Sequence, residues 1–474
     1  MKTLAVMILI GLGATAGAAD KVPVTTTSED ARALYVKAQD LAEKLRTTDA
    51  HDTFAKAVAK DKDFAMAYLG MAQSSGTAKD FFDALGHAVA LVGKVSPGEK
   101  LLILSVDQGA KNDLAHQKES LDKLVELFPS DERVQNQLGQ YLFGRQDYAG
   151  SIAAYEKAIK INPAFSQPYN QLGYAYRFSD KLADAERTFK KYIELIPNDP
   201  NPYDSYAELL MQEGKFDESI ASYQKALKID GNFIASYIGI GNDQMFQGHG
   251  DEARKTFDKM AKVARNDGER RQAITWTAIA YSMDGQWDKA LAEGDKLIAI
   301  ANASKDLAML ANDYNFIANT LLEAGRADAA AIKFKLQIET SDKANLPDEV
   351  KETTRRNGLY DEARIAIAKH DLATAKTKAA QFAKQVAVKQ NPFELRQQHE
   401  LLGMIAIEDK KFSVAIDELS HANQRDPRVL YLSAVAMRGA KDTKGAKAMA
   451  AKAADFNGLA PDYAYVRAKA QALE

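Results

Sequence analysis

A small residue recurs every 34 positions in the middle of this chain, at Gly139, Gly173, Ala207 and Gly241. Three further columns keep the same step. Ser151, Ala185, Ser219 and Ala253 form one, Tyr155, Phe189, Tyr223 and Phe257 another, and Ala158, Tyr192, Ala226 and Met260 the last. Drift by one residue would destroy all four columns together. A fixed period of this kind marks an array of units, each too small to bury its apolar face except against its neighbours.

Each unit reads as helix, turn, helix. Tyr169, Leu172, Gly173 and Tyr176 stand at helical spacing, as do Ala183, Glu186, Phe189 and Ile193, with the polar turn Phe178-Ser179-Asp180-Lys181 between them. Gly173 and Ala185 are small because two helices cross closely there, and a larger side chain at either point costs about 1–3 kcal/mol in overpacking. Pro163 and Pro197 follow second helices, and Gly231 takes that place in the third unit.

The order Tyr169, Leu172, Gly173, Tyr176, Ala185, Phe189, Pro197 closely resembles the tetratricopeptide repeat, and the resemblance runs from about Asp131 to Ala264. It implies an all-α solenoid of helix–turn–helix repeats wound as a right-handed superhelix. It also implies a concave groove, lined by first helices, that takes extended peptides or partner helices. The positions facing away from the packing columns are the candidate groove residues. They are Asn136 and Gln140 in the first unit, Asn170, Tyr174 and Arg177 in the second, Asn201, Asp204 and Glu208 in the third, and Asn242 in the fourth. Asn136, Asn170 and Asp204 are 34 apart and would form a ladder able to hold a peptide backbone, with Arg177 available to a carboxylate. Family members that clamp a terminal carboxylate use lysines in comparable places, so this chain is expected to take something else. The run Asn201-Pro202-Tyr203-Asp204-Ser205-Tyr206 is the first choice for a recognition patch.

Looser units flank the regular ones, around Tyr68 and Ala84 on one side and around Tyr281, Phe334, Phe382, Leu402 and Val435 on the other. The expected division is a signal peptide over 1–19, divergent helical repeats over 20–130, four regular units over 131–264, and divergent repeats with a C-terminal capping helix over 265–474. By its side chains Lys94 to Ala115 breaks the period, and Arg265–Gln272 and Thr340–Glu352 read as lengthened connections.

A chain of 474 residues exceeds what one core supports, which agrees with an elongated array. Its 62 basic and 65 acidic side chains are interspersed and nearly balanced, which gives no electrostatic footprint for nucleic acid. The absence of cysteine excludes disulfides, thiolate metal sites and lipid attachment. Lys2, the apolar run Leu4–Leu12 and the small residues Ala14–Ala19 read as an export signal cleaved after Ala18 or Ala19, so the expected location is periplasmic or secreted. That run is shorter than the ~20 residues a membrane span needs.

Motifs for chemistry are incomplete. His399-Glu400 is followed at the fifth position by Gly403, not by the second histidine a zinc site needs. Gly239-Ile240-Gly241 lacks a third glycine and lies inside a repeat helix, and Gly248-His249-Gly250 has no Gly-Lys-Ser/Thr after it. Asp217-Glu218 and Asp251-Glu252 open second helices, where they favour the helix dipole. No catalytic residue, metal or cofactor is expected. The leading reading is an exported scaffold or adaptor of the cell envelope that binds a protein or peptide and is not an enzyme. One rival is a hydrolase with its site in an aperiodic segment, using Glu99 or Asp107, and another is a self-associating structural protein of the envelope.

Overall fold

The computed structural model describes residues 21–474, and the stretch read as an export signal lies outside them. Among the described residues there are 25 helices and no strands. They pair in chain order as antiparallel hairpins. The first three hairpins are α1 (Glu29–Glu43) with α2 (Thr47–Lys60), α3 (Ala65–Gln73) with α4 (Ala78–Ala90), and α5 (Pro97–Ala110) with α6 (Leu114–Leu127). The regular units follow: α7 (Glu132–Gly144) with α8 (Tyr148–Ile161), α9 (Gln167–Phe178) with α10 (Leu182–Leu195), α11 (Asn201–Gln212) with α12 (Phe216–Ile229), and α13 (Ile234–Phe246) with α14 (Gly250–Val263). Then come α15 (Asp267–Met283) with α16 (Trp287–Ser304), α17 (Leu307–Glu323) with α18 (Ala327–Lys343), and α19 (Asp348–Ala368) with α20 (Leu372–Lys389). The last pairs are α21 (Pro392–Glu408) with α22 (Phe412–His421) and α23 (Pro427–Gly439) with α24 (Thr443–Ala454), and a single helix, α25 (Tyr463–Gln471), ends the array.

The periodic columns are the hairpin crossings. A Cβ added to Gly173 would lie 2.5 Å from the Phe189 ring, and Gly139 and Gly241 meet Tyr155 and Phe257 in the same way. Tyr155, Phe189, Tyr223 and Phe257 are fully buried, so each unit places one ring between its two helices. First helices of successive hairpins also touch one another, α7 on α9, α9 on α11, α11 on α13 and α13 on α15. That row of first helices is the inner face of the coil.

The turns inside the hairpins carry a second, unbroken register. Asn112, Gln146, Asp180, Gly214 and Gly248 all adopt left-handed backbone conformations and are spaced by 34 residues. The period therefore does not break over Lys94–Ala115. Ser96 caps α5 in a reciprocal capping box with Glu99, and Ser105 takes the small position opposite Leu121. The connections around Arg265–Gln272 and Thr340–Glu352 are also short, since α15 begins at Asp267 and α19 at Asp348. The period is lost there because the helices lengthen, to 17 residues in α15 and 21 in α19 against 12 in α9.

Two features close the array. Residues 21–28 run extended across the starts of α3, α5 and α7. The Val22 N–H donates to Asp131 at 2.8 Å, the Thr25 N–H to Glu99 at 2.6 Å and the Thr26 hydroxyl to Asp61 at 2.5 Å. Farther along, the coil returns on itself and forms a seam. Asn391 donates to Asn112 at 2.8 Å, Gln146 to Asn423 at 3.3 Å and Arg425 to Asp180 at 3.2 Å, across 279, 277 and 245 residues of sequence. Arg396 adds a bond to Gln146, and the start of α2 joins the seam through Thr48 to Glu269 at 2.9 Å and Arg265 to Asp49 at 3.0 Å.

Candidate functional site: the inner groove

Winding first helices inward leaves a groove along α1, α3, α5, α7 and α9, with a cavity of about 530 Å³. Tyr35, Met66, Leu69 and Leu102 give it an apolar floor. Six amide side chains stand over that floor: Gln39, Gln73, Asn136, Gln137, Gln140 and Gln167. An amide offers both a donor and an acceptor, the pairing a polypeptide backbone requires. Asn136, Gln137 and Gln167 already bond within the protein, whereas Gln39, Gln73 and Gln140 make no side-chain bond among the described residues. One charged pair, Arg133 to Glu43 at 2.7 Å, crosses the groove, and residues 21–24 form its rim.

The sequence-derived candidates fall into two sets. Gln140 is exposed and lines the cavity, and Tyr174 and Glu208 are half-buried. Asn136, Asn170, Arg177, Asn201, Asp204 and Asn242 are buried, and most bond within the protein. Asn136 donates to Gln167 at 2.9 Å, Asn201 to the Tyr192 hydroxyl at 2.8 Å, and the Ser236 hydroxyl to Asp204 at 2.7 Å. Glu208 accepts from both Tyr174 and Arg177 at 2.8 Å, so the guanidinium expected to meet a partner's carboxylate already has one. Asn170 keeps a side-chain oxygen without a bond. The ladder of 34-residue steps thus largely joins one repeat to the next.

Burial sets the electrostatics of this row. It pushes the Asp204 carboxyl up to about 8, the Glu208 charge pushing the same way and the Ser236 bond opposing it. Burial likewise raises the Tyr174 hydroxyl, assisted by Glu208.

Farther round the coil the inner face is filled. Glu323 on α17 accepts from Arg428 of α23 at 2.6 Å and Lys469 of α25 at 3.1 Å, with Arg364 of α19 at 3.9 Å. Burial pushes the Glu323 carboxyl up, but the three cations outweigh it and hold it below the usual carboxylate range. A larger hollow of about 730 Å³ lies on the outer side between α8 and α10, where Lys190 pairs with Glu186 at 2.7 Å and Lys191 with Glu194 at 2.9 Å. Charges already paired on an exposed surface offer a ligand little.

The aperiodic carboxylates have structural partners. Glu99 is fully buried and takes the Thr25 N–H and hydroxyl, both at 2.6 Å, and the Ser96 N–H at 2.9 Å. Asp107 pairs with Lys111 at 2.8 Å. Among the described residues no group of three or more metal-ligating side chains is placed to hold an ion, and no helix is long and apolar enough to cross a membrane.

Gln39, Gln73, Gln137 and Gln167 were not among the sequence candidates. The first two lie where the glycine column is absent. Gln167 is the neighbour that Asn136 bonds, so the ladder position itself pointed to it.

Comparison with known proteins agrees with these hairpins. A TPR repeat model matches residues 139–177, and a tetratricopeptide repeat model matches 166–199 and 201–233. A search of the curated proteins finds no match. Among solved structures, the chain is similar to a tetratricopeptide repeat protein from Parabacteroides merdae, at 17% identity over 56% of this chain and 99% of that one, with a TM-score of 0.37. A thermophilic TPR protein from Thermus thermophilus is 17% identical over 39% of this chain and 98% of that one, with a TM-score of 0.33. YrrB, described as a TPR protein with an unusual peptide-binding site, is 19% identical over 38% of this chain and 91% of that one, with a TM-score of 0.27. Matched between residues 139 and 233 and built there as small-residue helix crossings, the middle of the chain is an array of tetratricopeptide repeats, a kind of repeat that serves protein–protein interaction.

Proposed function

We propose that this protein is an exported scaffold of the cell envelope that holds a polypeptide in the groove of its first five hairpins and catalyses no reaction. The observation that carries the reading is the row of amides over an apolar floor. Amides bond a peptide backbone whatever its sequence, and the floor supplies pockets for alternate side chains. Asn136 and Gln140 are the sequence candidates that line this groove, Asn136 buried and Gln140 exposed, while Tyr174 and Glu208 extend the Gln140 column along the inner face. Export rests on Lys2, the Leu4–Leu12 run and the small residues up to Ala19.

The test is site-specific photo-crosslinking in cells, with the reactive residue at Gln73 or Gln140 and a control on the outer face at Lys190. The expected outcome is a discrete protein adduct from the two groove sites that is lost on Gln137→Arg. Equal capture from Lys190, or no groove adduct, overturns the groove. Fractionation of the same cells, with the mass of the mature chain, tests export separately.

A further inference from the structure

Gln140, Tyr174, Glu208 and Asn242 stand 34 residues apart on one inner column. At the first of these the groove is open. At the last it is occupied, because the Tyr463 hydroxyl of α25 donates to Asn242 at 2.7 Å. The Tyr463 ring also sits edge-on to Phe246 at 4.7 Å, and Arg467 lies over that ring from 4.7 Å. Tyr465 stacks on Trp287 at 6.4 Å and places its hydroxyl 3.4 Å from Thr320 of α17. The backbone of α25 packs on α23 and α24 and reaches across to α15. The final helix therefore lies on the inner face in the place a bound helix would take.

We propose that the inner face of α13, α15 and α17 is a docking surface for a short helix presenting Tyr-x-Tyr-x-Arg, and that α25 covers it in cis, so that a partner helix of this chemistry binds by displacing α25. This surface is separate from the groove of the first five hairpins, and the proposal stands without it.

Two features make α25 displaceable. At nine residues it is too short to hold a helix alone, and it is tethered through the turn-forming stretch Asp455–Asp462, with Asn457, Gly458 and Pro461. Arg467 is buried, yet its acceptors are neutral, Asn457 Oδ1 at 3.2 Å and the Phe456 carbonyl at 3.4 Å. Among the described residues no carboxylate pairs with it. A buried cation with no carboxylate in direct contact opposes the docked state, a cost that the Asp455 charge and the Phe246 ring offset only in part. Packing on α23 and α24 and the pair from Lys469 to Glu323 at 3.1 Å keep it in place, and the tether presents it at an effective concentration that an untethered helix must exceed.

The probe is a fluorescein-labelled synthetic peptide of residues 461–474, titrated against the full chain by anisotropy. Tyr463→Ala in the full chain weakens the cis competitor, and the labelled peptide should bind that variant at least about tenfold more tightly than it binds the parent. Adding Phe246→Ala should abolish the gain. Equal binding to parent and Tyr463→Ala, or a gain that survives Phe246→Ala, overturns the proposal. Hydrogen exchange on the unmodified chain gives a second reading that needs no variant to fold. Amides of α25 should exchange faster than those of α13 and α15 by sub-global opening, and matched protection of all three helices also overturns it.

Discussion

Glu323→Ala takes away the carboxylate on which cations from α19, α23 and α25 converge. Its side chain is 10% exposed, as against 12% for Arg428, 5% for Arg364 and 46% for Lys469. Stripping one partner from a buried pair costs about 3–5 kcal/mol, because the remaining charge is left without compensation. Two observations set the expected value at the low end. Arg428 keeps Asp462 at 3.4 Å, and Arg364 keeps Asp361 at 3.3 Å and the Asn319 oxygen at 2.8 Å. The half-exposed Lys469 arm adds no more than about 1 kcal/mol. The expected loss is therefore about 3 kcal/mol, with a smaller loss for Glu323→Gln, which preserves shape and removes charge. Repeat arrays need not unfold in one step, so the decisive readout is hydrogen exchange of α17, α23 and α25, with urea unfolding by circular dichroism beside it. The effect has a pH signature. The folded pKa of Glu323 lies below its unfolded value, so its contribution is present above the unfolded pKa and is lost as pH falls through the folded one. The gap between parent and variant should shrink toward acid. Unchanged protection of α23 and α25 in Glu323→Ala at neutral pH refutes the reasoning.

Gly173→Ala drives a methyl into the Phe189 ring and should cost about 1–3 kcal/mol, whereas Gly144→Ala, with open space around it, should cost nothing; urea midpoints decide. Asp243 is buried with both oxygens unbonded, and burial raises its carboxyl to about 8. A folded pKa above the unfolded one gives stability that is full below the unfolded pKa and is lost as pH rises through about 8. Melting at pH 5 and pH 9 should therefore show Asp243→Asn gaining on the parent at the higher pH, by on the order of 2 kcal/mol. Glu99→Ala frees the Thr25 N–H and hydroxyl from the carboxylate they both donate to and should cost about 1.5–3 kcal/mol while making residues 21–28 sensitive to limited proteolysis.

The regular hairpins were legible because the crossing demands one residue chemistry. Gly139, Gly173 and Gly241 must be small, and the ring they face must be large, so both leave a mark in sequence. The α5–α6 hairpin was not legible, because its turn demands only a backbone conformation. Asn112, Gln146, Asp180 and Gly214 share a left-handed φ and no side-chain type. Past Asp267 the helical spacing persisted while helix length changed, which erased the period and imitated long connections. For the inner row, the face was readable and its occupancy was not. Tyr174 meets Glu208 across a 34-residue step, and Asn242 meets Tyr463 across 221 residues, a distance no local pattern records.

In an open row of hairpins, stability adds up along a line, and units can be gained or lost at little consequence to the remainder. The bonds from Asn112, Gln146 and Asp180 to Asn391, Asn423 and Arg425 turn that line into something nearer a woven band. Each winding is tied to the one beyond it at successive stitches. Removing a single 34-residue unit between them would slide all the stitches out of alignment together. The tally of units in this protein is thus fixed by how one winding meets the next, and fraying at the last hairpins would be felt in the middle of the chain.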